Sequence, residues 1–421
     1  MPREMGLVAA GVYVVLGRWL ARLQMRGRDP AFALLNIAAM YFFFFWGEQQ
    51  HRYQLLFSLL FAAYLALGFA QYLALRYWSE RSGLLSWCLA VLMPVGVLVA
   101  IRYAPLREIA RLFHPSIRLV LQRHPEFSLD SVFIGSSYLA FRTSHLALEV
   151  RNGAVPRPGC WEYLSFAFFA PTLAVGPINP YSQYRLGFVE TGHPEIPLGR
   201  ALLRVLVGAV KYAFLGPLLN QLTYSGLLLD GHPHVWVDLP IAAVAYYLYL
   251  YCNFSGFCDI AIGGAGLMGI PVAENFANPF RARNVKDFWN RWHITLSQYM
   301  RDVVFTPLSK ALVRAFGPAQ ANHGIALTIL VVFLVIGMWH GVGWNFLAFG
   351  ALHGLGVAIN HYYTIALKKW LTKEQFGAYN RNRLIHVAAV TLTFLFVAAS
   401  LFLFANDWDA MKSIFSMLRM H

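Results

Sequence analysis

Long apolar runs recur along the 421-residue chain, separated by short polar stretches. A helix that crosses a bilayer needs about 20 mostly apolar residues. The pattern supplies such runs near 5–22, 31–46, 54–75, 83–103, 131–149, 163–178, 200–222, 237–253, 254–270, 325–343, 347–366 and 384–405. Several are short or interrupted, so the pattern predicts roughly ten to twelve spans. The fold class is an all-α polytopic membrane protein, with one membrane-embedded domain over 1–421. No soluble domain, low-complexity tract or internal repeat stands out.

Three more polar stretches interrupt the pattern. Residues 102–130 are Arg-rich and read as a connecting helix and loop at the interface. Residues 179–200, rich in Pro, Gly and Tyr, read as a loop. The third, 271–323, is the informative one. Val285, Phe288, Trp289, Trp292, Leu296, Tyr299, Met300 and Val303 recur at three- and four-residue steps, which predicts one amphipathic helix. Its other face carries Lys286, Asn290, His293, Ser297 and Arg301, and Asn284 with Asp287 supplies a cap at its start. Such a helix either lies flat on the cytoplasmic face or re-enters the membrane to line a polar cavity.

Composition agrees. Hydrophobic residues make up 58% of the chain and charged residues 13%, against about 25% charged in a soluble domain. The net charge of +14 does not imply nucleic acid, because the basic residues sit in short loops between spans, where the positive-inside rule expects them. Arg18, Arg22, Arg26 and Arg28 make the first loop cytoplasmic and put the N-terminus outside. Lys368, Lys369, Lys373, Arg381 and Arg383 mark a second cytoplasmic loop. The first apolar stretch carries Arg18 and no small-residue cleavage site, so it reads as a membrane helix and not as a signal peptide. Cys88, Cys160, Cys252 and Cys258 show neither zinc-like pairing nor a disulfide framework, and read as buried structural thiols.

Ionisable groups inside membrane segments are costly and point to function. Asp259, Arg142, His145, His340 and His353 all interrupt or close apolar runs. Each also has a structural reading. Arg142 and Asp259 would make an ion pair that fixes helix positions. His353, beside Gly354 and three residues after Gly350, suits close helix packing. The glycines after His340 imply close backbone approach or a broken helix, and so room for a ligand. Gly264 to Gly269 matches a dinucleotide fingerprint by letter but follows no strand, so helix packing explains it better. Asn253-Phe254-Ser255 is a glycosylation triplet embedded in a membrane segment.

Four stretches then carry a resemblance: Pro171-Thr-Leu-Ala-Val-Gly-Pro-Ile-Asn179, Asn253-Phe-Ser-Gly-Phe-Cys-Asp-Ile260, Glu274-Asn-Phe-Ala-Asn-Pro-Phe280 and Phe288-Trp-Asn-Arg-Trp-His-Ile-Thr-Leu-Ser297. The last is followed by Arg301-Asp302 and by Gly337-Met-Trp-His-Gly341, with Trp344, Phe346 and His353-Gly354 beyond. In order and spacing, over about 130–405, the chain resembles the membrane-bound O-acyltransferase family, in its bacterial branch of alginate O-acetyltransferases and teichoic acid D-alanyl transfer proteins.

The resemblance implies a ring of tilted helices around a thin centre, where a cytoplasmic tunnel meets an outward-facing funnel. The family's catalytic histidine falls on His340 and its second histidine on His293. His340 would be the base that takes a hydroxyl proton. His293, Asn290 or Arg291 would orient the donor or stabilise the developing oxyanion, with Trp339 and Asp259 also expected at the substrate site. No bound cofactor or metal is expected. The donor would be an acyl thioester, acetyl-CoA or an acyl carrier protein, and the acceptor a polysaccharide or envelope glycan. Membrane lipid, a cytoplasmic carrier protein and a periplasmic acyltransferase are the further partners implied, in the bacterial inner membrane. Acetyl is the first expectation and D-alanyl the second. A transporter is the rival from another class, but it would show paired broken helices in two related halves. A non-catalytic scaffold of an exopolysaccharide machine is the other.

Overall fold

The computed structural model describes residues 3–23, 27–45, 54–103, 135–188 and 196–418. The described chain is all-α and divides into two compact units, 1–206 with 258–273, and 207–257 with 274–421. Ser58–Trp78, Leu198–Leu228, Asp238–Leu267, Pro318–His340 and Arg383–Ala405 are long and apolar enough to cross a bilayer. Exposed Leu7, Val8, Leu203, Phe214 and Leu384 would be unfavourable in water and suit a hydrocarbon solvent. The Arg-rich connector at 102–130 lies almost wholly outside the described residues.

The first unit holds α1 (Arg3–Arg22), α2 (Arg28–Met40), α3 (Gln54–Trp78), α4 (Ser136–Arg151), α5 (Cys160–Ala167) and α6 (Tyr181–Phe188), together with the start of α7 (Leu198–Val210). The apolar run 163–178 is not a span. α5 stops at Ala167, and a single 3-10 turn, Ala170–Thr172, follows with Pro171 at its start. Proline cannot donate into a helix, so carbonyls are left over here, and Arg142 collects them. Its guanidinium donates to the oxygens of Phe166 (2.7 Å), Ala167 (3.3 Å) and Thr172 (2.7 Å), and to Thr172 Oγ1 (2.7 Å). Arg142 therefore does not pair with Asp259, as the sequence suggested. Asp259 meets Arg204 of α7 at 3.0 Å instead.

The stretch 179–200 is likewise not wholly loop, because α6 lies within it. Glu149 makes that helix possible: its carboxylate accepts from the Tyr181 N–H (3.1 Å) and from Ser182 Oγ (2.6 Å). A negative group at a helix N-terminus answers the unsatisfied N–H donors there.

The expected spans 237–253 and 254–270 are one helix, α8 (Asp238–Leu267), through which the chain passes from the second unit to the first. Its glycines serve packing. In the first unit, a Cβ on Gly263 would stand 2.8 Å from the Ala201 carbonyl oxygen of α7. No disulfide joins the four cysteines, and of them only Cys258 is buried.

The second unit continues with α9 (Val285–Trp289), α10 (Ile294–Met300), α11 (Thr306–Phe316), α12 (Ala321–His340), α13 (Trp344–Trp370), α14 (Arg383–Ala405) and α15 (Trp408–Leu418). α12 and α13 form a tight hairpin. A Cβ on Gly337 would collide with the Phe346 carbonyl oxygen, and one on Gly350 with that of Phe333. Small residues let backbones approach this closely, which is how helices associate where water gives no driving force.

The loop before α8 carries an ionic latch. His234 Nε2 lies 2.9 Å from Asp230 Oδ1 and Nδ1 lies 3.3 Å from Asp238 Oδ2, while the His234 backbone N–H donates to the Met417 carbonyl of α15. The His232 N–H and then His234 hold the Asp230 carboxyl down at about 2, and its bond to Asp230 raises the His234 imidazole above its usual value. A raised histidine stabilises the fold below its unfolded pKa, about 6.5, and that stabilisation fades as pH rises through the folded value. A depressed carboxyl stabilises above its unfolded pKa, about 3.9, and its contribution is lost as pH falls through the folded one. The latch is thus firmest between about pH 4 and 6.5. Amide exchange at 235–238, corrected for intrinsic rate, is expected to quicken above that window in the wild type and to show no such rise in His234→Gln. A flat wild-type profile would remove the latch.

Candidate catalytic centre

The segment that the sequence presents as one amphipathic helix is broken at its most interesting residue. α9 starts as expected, with Asn284 Oδ1 accepting from the Asp287 N–H at 2.8 Å. The helix then ends at Trp289, and α10 begins at Ile294. Between them His293 takes φ 46° and ψ 52°, in the left-handed region. For a residue with a Cβ this costs roughly 1–2 kcal/mol, so something must hold it there.

The hold comes from the stretch before α9. Phe276 pairs with Trp292 in a single antiparallel bridge. The Ala277 N–H donates to the Arg291 carbonyl and the Ile294 N–H to the Asn275 carbonyl, both at 3.0 Å. Asn275 Oδ1 then accepts from the Thr295 N–H (3.2 Å) and Thr295 Oγ1 (2.9 Å), and lies 3.1 Å from His293 Nδ1. Amphipathic spacing shows none of this, because the stripe of apolar positions continues across the break. The signal was in Glu274 to Phe280, where Asn278 also sits in the left-handed region at φ 52° and is followed by Pro279.

This arrangement decides the protonation of His293. A backbone N–H only donates, so the atom facing Thr295 must be the oxygen of the Asn275 amide. Its neighbour His293 Nδ1 must therefore carry a proton and donate to it. In the neutral ring Nε2 is then a lone pair. It is buried and makes no hydrogen bond to any described residue.

Aromatic rings surround it. The His293 ring is 4.8 Å from Phe254 and 6.0 Å from Trp339 by centroids, and Trp339 is 4.6 Å from His340. His340 is the last residue of α12. The chain leaves the helix at Gly341, whose Cβ position is filled by the Phe346 ring, and the His340 ring is 4.9 Å from Phe404 of α14. The glycines after His340 thus do mark a broken helix and a close approach. His293, Trp339 and His340 are the expected site residues that the structure gathers.

The other expected residues have partners of their own. Asn290 lines a cavity of about 480 Å³ bounded by α9, α10, α12 and α13. Trp289, Met300, Phe333 and Ile336 give it an apolar wall, and basic groups come from Lys286 and Arg301, both on the polar face expected from the spacing, and from His361, which the spacing did not mark. Ile336 is one helical turn before His340, on the same side of α12. Arg291 is held elsewhere, donating to Asp287 Oδ1 at 2.8 Å and to the Ala277 carbonyl at 3.2 Å. Asp259 belongs to the first unit, with Arg204. His353 is a packing histidine: Trp289 Nε1 donates to its Nδ1 (3.1 Å), and its Nε2 donates to Ser400 Oγ (2.8 Å), tying α9, α13 and α14 together. Among the described residues no cluster of three His, Cys, Asp or Glu side chains is placed to hold a metal ion.

Comparison with known proteins identifies the architecture. Residues 39–405 match the model of the membrane-bound O-acyltransferase family. The chain is 32% identical to the Teichoic acid D-alanyltransferase of Streptococcus thermophilus over 289 residues, 65% of this chain and 68% of the relative. It is 29% identical to the Peptidoglycan O-acetyltransferase of Helicobacter pylori over 50% of this chain and 39% of that one. With the Probable alginate O-acetylase AlgI of Pseudomonas aeruginosa it shares 27% identity over 67% and 51%. The chain belongs to the membrane-bound O-acyltransferase family, and is a multi-pass membrane O-acyltransferase.

Proposed function

We propose that this O-acyltransferase moves an acetyl group from a cytoplasmic thioester, acetyl-CoA or an acyl carrier protein, to a hydroxyl of an envelope or secreted polysaccharide, in the bacterial cytoplasmic membrane. The observation that carries the reading is the pair of histidines against Trp339, one of them with a buried lone pair that no described residue partners and whose direction Asn275 sets.

The chemistry balances on these groups. The acceptor hydroxyl gives its proton to the His340 imidazole as its oxygen bonds to the thioester carbonyl carbon. The carbon–sulfur bond then breaks, and the leaving thiolate takes the proton back from the imidazolium. With its ring neutral and the proton on Nδ1, His293 has no Nε2–H to give the oxyanion. It accepts instead, from the incoming hydroxyl or from an amide N–H of the donor arm. The cavity supports the donor side of the reading. Its basic groups Lys286 and Arg301 suit the phosphate that a coenzyme or carrier arm bears, and its apolar wall leads toward Ile336 and His340. Trp339 packs the reacting group against both histidines.

A D-alanyl group is the second reading. The match to the Streptococcus relative favours it, because it covers similar shares of both chains at the higher identity. The ester itself decides. Base-labile acid released from the polysaccharide of cells with and without the protein, identified by mass spectrometry, should be acetic acid. D-alanine would transfer the mechanism to the second reading, and no difference between the strains would remove both.

A test of the Asn275 assignment separates positioning from packing. Asn275→Asp keeps an acceptor for Nδ1–H and should retain transfer within about tenfold. Asn275→Leu frees the ring and should lose about 10²-fold in turnover, of the order of a misoriented base, with donor KM little changed. Equal losses in both variants would make Asn275 a packing residue only.

A further inference from the structure

A second cavity, of about 430 Å³, lies in the second unit where α8, α14 and α15 meet the turn Tyr224–Leu228. Ala243, Ala398 and Ala399 leave the space, and Tyr224, Phe402 and Phe415 wall it. Tyr224 is 2% exposed, edge-on to Phe402 at 5.3 Å and 5.5 Å from Tyr246. Its hydroxyl is buried and makes no hydrogen bond to any described residue. Buried hydroxyls almost always find a partner, so this one calls for an acceptor from outside the described chain.

Water is a poor candidate. A cavity of this size has the liquid volume of about fourteen waters at roughly 30 Å³ each, and each ordered water needs two to four polar partners. Apart from Tyr224 the lining side chains are all apolar. What fits is a long apolar body with a single acceptor at one end. The setting narrows it further. α8 and α14 are among the helices long and apolar enough to cross a bilayer, so hydrocarbon is the surrounding solvent. Trp236, 57% exposed, packs on Phe415, and Trp408, 53% exposed, opens α15. Exposed tryptophans gather at headgroup level, which sets Tyr224 near the depth of a lipid's ester groups.

We propose that this cavity is a specific site for one glycerophospholipid, with an acyl chain in the groove and its ester carbonyl accepting the Tyr224 O–H. The reading is independent of which acyl group the enzyme transfers.

The test uses the purified full chain, delipidated in detergent and titrated with 1-palmitoyl-2-oleoyl-phosphatidylglycerol under native mass spectrometry. One saturable adduct is expected. The diether analogue lacks the ester carbonyl and should bind the wild type about three- to tenfold more weakly, the effect of one hydrogen bond. Tyr224→Phe keeps the ring, and should bind both lipids alike at the weaker affinity. Ala399→Phe fills the groove from its exposed side and should lose the saturable adduct. An unsaturable ladder of adducts, no adduct at all, or a wild type that does not distinguish ester from ether would overturn the proposal.

Discussion

His340→Ala is expected to reduce polysaccharide acylation by about 10²–10⁴-fold, the range that a positioned general base contributes, with normal abundance in the membrane. The side chain is half-buried at the end of α12, where it contacts the rings of Trp339 and Phe404. Its loss should therefore cost chemistry and not folding. Ester content at matched protein levels is the measurement. Undiminished ester would end the His340 mechanism and return a scaffold or transporter role to consideration.

Arg142→Leu is expected to have the opposite signature, a loss of folded protein that takes activity with it. Arg142 is 1% exposed, and four oxygen atoms would lose its guanidinium as a donor together, the Phe166 carbonyl keeping only the Phe169 N–H. Hydrogen bonds to a charged group are worth about 1.5–3 kcal/mol each, and a whole domain holds only about 5–15 kcal/mol. Even after generous allowance for relaxation, the substitution consumes much of the margin. Arg142→Lys should rescue only in part, because one ammonium cannot span the Phe166 and Thr172 carbonyls as the planar fork does. Thermal midpoint and the monodisperse fraction by size-exclusion chromatography read this out. A wild-type midpoint in Arg142→Leu would show that the carbonyls find other donors.

These two residues show what was legible. Both stood out in the sequence as ionisable groups in apolar runs, and spacing could not tell them apart. His340 was marked by the glycines after it, because a glycine at a tight hairpin is visible as a letter. Arg142 answers a shortage of donors created about 30 residues later, at Pro171, and no local pattern records such a debt. The helices were largely readable because their apolar periodicity is local. The split of 285–303 was not, since the force that breaks the helix comes from Asn275 and the bridge at Phe276, outside the stripe. Asp259 and Arg291 were candidates by type, and the structure adds the ion pair that holds each, with Arg204 and Asp287 respectively. Asn275 went unassigned because its role is to fix another residue's proton, which depends on three dimensions and not on residue type.

The Phe276–Trp292 bridge has a consequence for descent. Residues 274–278 and 290–295 fold as a single clasp, so neither stretch can drift without the other. Recombination with a breakpoint at 281–284 would join two intact parental motifs and still deliver a misaimed His293. Lineages of this enzyme should therefore inherit the whole of 274–297 as one block, and swapped acyl specificity should travel by crossovers outside it.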